Sequence, residues 1–331
     1  MFHKFSNRKN LLSIKSQNRS TKICKVRLSK FSLVITTPVL LNKKCLAGWE
    51  RVEGIVHKDK DLLESKTTVY CRKAPKQVIN PFTAIFLGSA QSRMLRQMGG
   101  IYTYHKIAPP PQGTLDPFLY VSPGRFDDQL AQLRRQGFKS SKIEELAGGG
   151  VVISFDDGFE NVLRNGLEPL GRHGFQGLQY IVSDRIGGLN DWDIAKGDTP
   201  ERLMDQAQIR EWIGAGHAIG SHSRTHRNLR KLSRVEARSE IVDSKKALED
   251  MFGVAVRHFC HPYGGFTAET RELVMEAGYQ SAVTVLPGFN PPGSDRYALR
   301  RIIPLSAGEF VAKVIHRVMR KLSSTPSGRG G

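Results

Sequence analysis

Val151-Val152-Ile153-Ser154-Phe155-Asp156-Asp157-Gly158 is the stretch of sequence that decides the fold. Its first five residues are mostly apolar and β-branched, which predicts a strand buried on both faces. Two adjacent aspartates and a glycine follow directly, so the carboxylates stand at the carboxyl end of that strand. Because neighbouring side chains of an extended chain point to opposite sides, both carboxylates reach one site only if the backbone turns at Gly158.

Short apolar runs and amphipathic stretches alternate on both sides of this strand. The predicted strands are residues 101–105, 151–155, 178–182, 217–221, 258–260, 282–285 and 300–305. Helices are predicted between them, with a capping box at Ser233–Glu236 and an N-cap at Thr267. A final amphipathic helix is predicted over residues 309–322. Alternating strands and helices indicate an α/β fold, and about seven such units favour a distorted (β/α)7-type barrel over an open sheet.

Charge divides the chain into two parts. Residues 1–97 contain 20 Lys/Arg and 5 Asp/Glu, whereas residues 98–331 contain 30 and 26. The first part has no sustained period and no obvious core, so we predict a mostly disordered basic extension over residues 1–97. Met94 or Met98 is an alternative start of the natural chain. We predict a folded domain over residues 98–322 and a flexible tail over residues 323–331.

Several classes of partner and compartment are disfavoured by the same sequence. The basic extension lacks the interleaved aromatic residues of a stacking platform, so we expect no nucleic-acid partner. The four cysteines have no CxxC spacing and predict neither a zinc knuckle nor a disulfide framework. The apolar run at residues 31–41 is about half the length that a transmembrane helix needs. We therefore expect a cytoplasmic protein by default, with export, peripheral membrane association and oligomeric state left open.

A second polar cluster, His222-Ser223-Arg224-Thr225-His226, follows the predicted strand 217–221. Alone, a His-x-x-x-His spacing often marks an exposed helix pair, and an Asp-Asp-Gly turn is often only a strand end. In a parallel barrel, however, the carboxyl ends of all strands meet on one rim, which is where active sites collect. Imidazoles and a carboxylate with open positions for water are typical ligands of a catalytic divalent metal, and they leave the other carboxylate free for proton transfer.

Three motifs together resemble the polysaccharide deacetylase family (NodB homology, carbohydrate esterase family 4). They are Ser154–Gly158, His222–His226 and Phe259-Cys260-His261-Pro262-Tyr263-Gly264, and their order and spacing agree with the family over roughly residues 99–308. The resemblance implies a NodB-like deacetylase barrel. It also implies metal-assisted hydrolysis of an N-acetyl group on a sugar amide, with release of acetate.

The resemblance also implies a role for individual residues. Asp156 would be the general base, and Tyr263 would present its backbone N–H to the oxyanion. Pro262 and Gly264 would shape the loop around Tyr263. The metal ligands would be Asp157, His222 and His226. We expect zinc as the metal, with cobalt or nickel as alternatives, because this ligand set accepts several divalent ions.

One departure from the family concerns the arginine that usually steadies the base. The third motif carries Cys260 at that position. Arg300 or Arg301, in the last predicted strand, could supply the missing guanidinium, and the sequence leaves both open.

A second departure concerns the histidine expected to act as general acid. The family's late Leu-x-His motif is not evident, and we interpret His316, in the predicted C-terminal helix, as a surface residue. A permuted subgroup, similar to the poly-N-acetylglucosamine deacetylases, supplies this histidine from the first strand, and Tyr102-Thr103-Tyr104-His105 looks like that version. We therefore predict His105 as the general acid, with a satisfied strand-end histidine as the alternative.

These observations lead to one expected function and two alternatives. We expect an N-deacetylase of oligo- or polysaccharides that contain N-acetylglucosamine. A sugar-binding pseudoenzyme is the first alternative, because the usual arginine is absent, and a deacetylase of an O-acetyl ester or another acyl substrate is the second. Trp192, in the long loop after the predicted strand 178–182, either lines the sugar groove or packs beneath the loop.

Overall fold

The computed structural model describes residues 98–305, four backbone strands before them, and residues 309, 313 and 316 after them. The chain divides into two units, residues 1–79 and residues 80–331. Within the described part of the chain, no helix is both long and apolar enough to cross a membrane.

The described part of the first unit is a four-stranded antiparallel sheet whose strands pair in chain order. The strands are β1 (Thr21–Leu28), β2 (Phe31–Pro38), β3 (Glu50–Lys58) and β4 (Ser65–Cys71). The extension over residues 1–97, which we predict to be mostly disordered, includes these four paired stretches. Runs such as Leu33-Val34-Ile35-Thr36-Thr37 have the β-branched content that favours strands. The other residues of this range lie outside the described part.

The second unit is built on a parallel sheet of seven strands. They are β5 (Gly100–Tyr104), β8 (Val151–Phe155), β9 (Gly177–Ile181), β10 (Ala218–Ser221), β11 (His258–Cys260), β12 (Ser281–Pro287) and β13 (Leu299–Arg301). Two short strands, β6 (Lys106–Ile107) and β7 (Tyr120–Val121), pair separately. The seven strands follow the order β13-β12-β11-β10-β9-β8-β5. Each strand therefore pairs with the strands of this sheet that precede and follow it along the chain, and β5 and β13 are the two edge strands.

Ile302, directly after β13, joins the two ends of this row. Its N–H donates to the carbonyl of Ile101 at 2.7 Å, and its own carbonyl accepts from the N–H of Thr103 at 2.9 Å. The sheet is therefore a nearly closed parallel barrel, which confirms the predicted fold. Its interior is filled by side chains that include Ile101, Val152, Leu178, Tyr180, Cys260 and Val283.

Six α-helices accompany the strands in the described residues. They are α1 (Pro123–Arg135), α2 (Glu160–His173), α3 (Asp191–Ile194), α4 (Gln206–Gly214), α5 (Arg234–Phe252) and α6 (Ala268–Glu276). Capping boxes at Ser233 and Thr267 begin α5 and α6, where the sequence predicted helix starts. Residues 309, 313 and 316 are helical, whereas the rest of the predicted helix 309–322 and the tail 323–331 lie outside the described residues.

Gly220 in β10 provides a test of the barrel packing. A Cβ at this position would lie 2.6 Å from the Tyr180 ring and 2.8 Å from the carbonyl oxygen of His258. Since the backbone oxygen cannot move freely, we expect Gly220→Ala to lower the free energy of unfolding by about 1–3 kcal/mol. Chemical denaturation of the full chain measures this. The control is Gly171→Ala in α2, where a Cβ meets nothing within 4 Å. Equal effects of the two changes would contradict the packing argument.

Candidate active site and metal centre

The loops at the carboxyl ends of the barrel strands contain unusual backbone conformations. Among the described residues, four that are not glycine have a positive φ: Asp157 (75°), Ser223 (65°), His226 (62°) and Tyr263 (60°). Side chains other than glycine rarely adopt this region, and such residues cluster at functional sites. The turn that we predicted at Gly158 thus begins one residue earlier, at Asp157, and this separates the two carboxylates.

Asp157, His222 and His226 form a buried cluster with the geometry of a metal-ligand set. The Oδ1 atom of Asp157 lies 3.3 Å from Nε2 of His222 and 3.2 Å from Nε2 of His226. This oxygen is buried and has no partner with hydrogen-bond geometry. Three potential ligand atoms within 4.8 Å of one another suit a divalent ion.

The hydrogen bonding of the cluster also fits a metal. Nδ1 of His222 lies 2.8 Å from the backbone carbonyl of Cys260. A carbonyl only accepts, so Nδ1 is the donor, and in the neutral ring the lone pair is on Nε2, facing Asp157. Burial lowers the pKa of His226, which favours the neutral imidazole that binds metals. Burial also lowers the pKa of His222, but contacts with Cys260 and Asp157 outweigh it and hold that pKa well above its usual range, so a metal would have to displace a proton from His222. Burial raises the pKa of Asp157, but the two histidines outweigh it and hold that pKa well below its usual range.

A second group of potential ligands consists of Asp156, His222 and Cys260. Burial raises the pKa of the Cys260 thiol, so it is protonated at neutral pH. Asp156 is already engaged elsewhere, as described next. The Asp157 cluster is therefore the better candidate, and Cys260 is a packing residue of the barrel core.

Asp156 is held by Arg301 through a bidentate ion pair. Nη1 and Nη2 of Arg301 donate to the two carboxylate oxygens at 2.7 and 2.8 Å, and its Nε donates to the Thr284 carbonyl at 2.8 Å. Both charged groups are almost completely buried. Burial raises the pKa of Asp156, but the attraction of Arg301 and His105 outweighs it and lowers that pKa below its ordinary value.

Arg300 and Arg301 were both open as candidates beside Asp156. Arg300 lies on the other face of β13, where its side chain is exposed and its Nη1 donates to the Pro287 carbonyl at 3.3 Å. Geometry therefore brings only Arg301 to the carboxylate.

His105, directly after β5, lies on the same rim. Its Nε2 is 3.7 Å from Oδ2 of Asp156, and its side chain is 26 % exposed. Burial lowers the pKa of His105, although Asp156 partly opposes this. His316 lies elsewhere and packs its ring against Phe118, with the ring centroids 5.8 Å apart.

The loop Pro262–Gly264 is closely packed at its last residue. A Cβ on Gly264 would lie 2.2 Å from Val285, and Gly264 itself has a φ of 68°. Pro262 is buried, whereas Tyr263 is 46 % exposed. The loop thus needs glycine at position 264 and presents Tyr263 at the mouth of the site.

Trp192, in α3, packs against one residue of the Asp157–His222–His226 cluster. Its indole stacks on the imidazole of His226, with centroids 4.3 Å apart and planes at 27°. The side chain is half-buried. The sequence left open whether Trp192 lines the groove or packs beneath its loop; the structure brings it against one of the histidines.

Two residues of the site were missed by the sequence analysis. Glu240 of α5 is 5 % exposed and accepts from the backbone N–H of Arg224 (3.1 Å), and from the N–H (2.9 Å) and hydroxyl of Thr225. It thereby holds the loop that carries both histidines. The sequence did contain a signal that could have identified Glu240: it is a carboxylate on the buried face of an amphipathic helix, next to Ile241. Lys196, the other missed residue, follows α3 and contacts Tyr263; no pattern in the sequence indicated it.

A separate cavity of about 410 Å³ lies at the opposite end of the barrel, near the first residues of β9, β10 and β11. Its histidine, His258, is already paired with Glu144 at 3.3 Å and with the Ser281 hydroxyl at 2.9 Å. These satisfied groups are consistent with a structural role at the end where barrels rarely carry active sites.

The fold and the site together define a parallel barrel with a candidate metal centre beside an ion-paired carboxylate. Residues 144–282 match the family model described as polysaccharide deacetylase. This match confirms the resemblance to that family which the three motifs indicated.

Curated relatives of the chain are deacetylases by name. The chain is 28 % identical over 152 residues, 46 % of its length, to Bacillus subtilis YxkH, which is named as a candidate polysaccharide deacetylase. It is 24 % identical over 125 residues, 38 % of its length, to the peptidoglycan-N-acetylglucosamine deacetylase PgdA of Listeria monocytogenes. The matched region spans half of YxkH and 23 % of PgdA.

Solved structures show the same fold. The Streptococcus pyogenes deacetylase PplD, determined with acetate, superimposes with a TM-score of 0.55 at 20 % identity over 65 % of this chain and 97 % of PplD. IcaB from Ammonifex degensii gives a TM-score of 0.55 at 19 % identity, covering 66 % and 97 % of the two chains. These similarities confirm the predicted NodB-like deacetylase barrel.

His261 provides a pH-dependent test of the rim. It is fully buried, neither ring nitrogen has a hydrogen-bond partner, and burial lowers its pKa from 6.5 to about 3. The unfolded chain therefore binds a proton below pH 6.5 that the native protein rejects, so this residue costs stability as the pH falls from 6.5 towards 3. We expect His261→Phe to remove about 2 kcal/mol of this loss at pH 5. Denaturation at pH 7 and pH 5 measures it, and parallel pH curves would contradict it.

Proposed function

We propose that this protein is a metal-dependent hydrolase that removes N-acetyl groups from glycans containing N-acetylglucosamine. One observation carries the proposal: Nε2 atoms of His222 and His226 converge on Oδ1 of Asp157, while the adjacent Asp156 is held apart, ionised, by Arg301. A ligand set and a separate base, side by side, are what hydrolysis of an amide by an activated water needs.

In this proposal Asp157, His222 and His226 hold the divalent ion. When bound there, the ion would polarise the substrate carbonyl and make a water molecule more acidic. Asp156 accepts a proton from the attacking water while the oxygen of that water bonds to the carbonyl carbon. A carboxylate with a lowered pKa is a weak base, and a bound divalent ion would compensate for this by making the attacking water more acidic. Arg301 keeps Asp156 ionised and fixes its orientation through two parallel hydrogen bonds.

The remaining steps use the other residues of the rim. The backbone N–H of Tyr263 stabilises the negative charge on the carbonyl oxygen of the tetrahedral intermediate. His105 donates a proton to the sugar nitrogen as the carbon–nitrogen bond breaks. A new carbon–oxygen bond has then replaced the amide bond, and the products are acetate and a free amino sugar. Because burial lowers the pKa of His105, its protonated ring is a stronger acid and gives up its proton readily, although a smaller fraction of the rings is protonated at neutral pH.

The substrate class is supported by what the relatives have in common. PgdA and a chitooligosaccharide deacetylase from Azorhizobium caulinodans, 38 % identical over 64 residues, are named for glycans that carry N-acetylated glucosamine. We propose the same amide for this chain, with zinc as the metal because two imidazoles and one carboxylate are typical zinc ligands. Cobalt and nickel are alternatives that this ligand set also accepts.

The pseudoenzyme alternative rested on the arginine missing at Cys260. Arg301 places a guanidinium on Asp156 from another strand, which removes that reason. An O-acetyl ester remains the alternative substrate, since nothing in the geometry of the base and the ligand cluster distinguishes an ester from an amide.

Acetate release from chitooligosaccharides tests the proposal. We expect the full chain with zinc to release acetate, and a chelator to abolish the release. Asp156→Asn should lower kcat by at least about 100-fold, because it removes the base. Asp250→Asn, an exposed residue paired with Lys246, is the matched control and should retain activity.

The same assay separates the alternatives. Release from O-acetylated but not N-acetylated sugars would replace the amide by an ester. No release from either, by a folded protein that binds zinc, would overturn the proposed activity.

Two adjacent arginines allow a controlled test of the ion pair. Arg301→Met leaves Asp156 buried without a partner, so we expect a loss of about 3–5 kcal/mol in unfolding free energy and near-complete loss of activity. Arg301→Lys keeps the charge but not the bidentate geometry, and should be intermediate. Arg300→Met should change both quantities little, because its side chain is exposed. If Arg300→Met and Arg301→Met behaved alike, the assignment of Arg301 would be wrong.

A further inference from the structure

The segment Asp191–Lys196, formed by α3 and the two residues after it, contacts two residues of the site at once. Trp192 stacks on His226 at 4.3 Å, and Lys196 reaches Tyr263. Nζ of Lys196 donates to the Tyr263 hydroxyl at 3.2 Å and lies 4.7 Å from the centre of its ring. The segment therefore bridges a candidate metal ligand and the loop proposed to bind the oxyanion.

The two histidines of the cluster are supported differently. Nδ1 of His222 donates to the Cys260 carbonyl, whereas Nδ1 of His226 is buried and has no hydrogen-bond partner. Histidine ligands usually donate their second nitrogen to an acceptor, and this bond fixes the orientation of the ring. In His226 that support is absent, and aromatic contacts take its place: the indole of Trp192 on one side, and the Tyr263 ring at 4.8 Å, edge-on, on another.

Tyr263 also needs external support. Its backbone lies in the left-handed region, with φ 60° and ψ 7°, and its side chain is 46 % exposed. A strained conformation persists only where surrounding contacts hold it. Lys196 supplies a hydrogen bond and a cation–π contact to this exposed ring. Lys196 is itself oriented by Asp193, whose Oδ1 accepts from its Nζ at 3.1 Å.

The segment is anchored well enough to act as a support. Asn190, immediately before it, is fully buried, and its side-chain oxygen accepts from the N–H of Glu201 at 2.7 Å. After it, the N–H of Asp198 donates to the Asp193 carbonyl at 3.1 Å. The Asp198 carboxylate in turn accepts from the N–H of Leu115 at 2.8 Å. Both ends of the segment are thus tied to other parts of the domain.

We infer that Trp192 and Lys196 are positioning residues of the site. Trp192 fixes the ring of His226 by stacking, in place of the usual hydrogen bond, and Lys196 fixes the loop of Tyr263 in its strained form. The inference rests on the proposed function for what the site does, but the role of Trp192 is testable by metal binding alone.

Zinc titration tests Trp192 without any substrate. We expect Trp192→Leu to weaken zinc binding by about 10-fold or more, which is the effect of losing an outer-shell partner of a ligand. Trp192→Phe keeps a ring to stack and should recover most of the affinity. Leu189→Ala, which shortens an exposed side chain near the same segment, is the control and should bind zinc as the wild type does. Cobalt substitution adds a second readout, since a displaced His226 would alter the visible spectrum of Trp192→Leu only.

A double-mutant cycle tests Lys196. We expect Lys196→Met to lower kcat about 5- to 20-fold with little change in KM, because it disturbs the transition-state contact rather than sugar binding. In the Tyr263→Phe background the same change should cost clearly less, since the hydrogen bond is already gone. Lys196→Arg should partly rescue. Lys246→Met is the matched control, because Lys246 is an exposed lysine of α5 that is paired with Asp250.

The outcomes separate this inference from the proposed function. Unchanged zinc affinity and cobalt spectrum in Trp192→Leu would overturn the role of Trp192. Equal losses for Lys196→Met with and without the Tyr263 hydroxyl would overturn the role of Lys196. If the wild type released no acetate while Trp192→Leu still bound zinc weakly, the proposed activity would fail and the stacking role would stand.

Discussion

Closure of the barrel is the constraint on which the site depends. Arg301 and Asp156 are 145 residues apart, and in an open sheet of the same strand order five interstrand steps, roughly 24 Å, would separate β13 from β8. Because Ile302 joins β13 to β5, only one strand lies between them in the closed barrel. The guanidinium of Arg301 therefore reaches the carboxylate of Asp156 across β5, and each of these two buried charges is paired with the other.

The same closure explains how the domain manages without an arginine in its third motif. Cys260 is small and apolar enough to pack in the core beside Tyr180 and Val283, while its backbone carbonyl, not its thiol, orients His222. Cys260 thus packs in the barrel interior through its side chain and contacts His222 through its backbone carbonyl. The positive charge that Asp156 requires comes from the far end of the chain.

Much of this could be predicted from residue patterns. Strand β8 was predicted with its observed bounds, and the predicted starts of α5 and α6 agree because capping boxes are local interactions. The four N-terminal strands were not predicted, since basic residues interrupt their apolar pattern. Glu240 and Lys196 were missed because their partners lie on other elements, at distances along the chain that no local period reports.

The sequence by itself determined the strand–helix alternation, the motif order and the residue types able to bind a metal, because these depend on local pattern and chemistry. It also limited the partner of Asp156 to two candidates, Arg300 and Arg301, which as neighbours in an extended strand point to opposite faces. Only the tertiary structure decided which of them meets Asp156, because that depends on how the last strand docks against the first. It alone placed Trp192 on His226 and gave Asp157, Ser223, His226 and Tyr263 their left-handed backbone, because such strain is sustained by contacts between loops rather than within them.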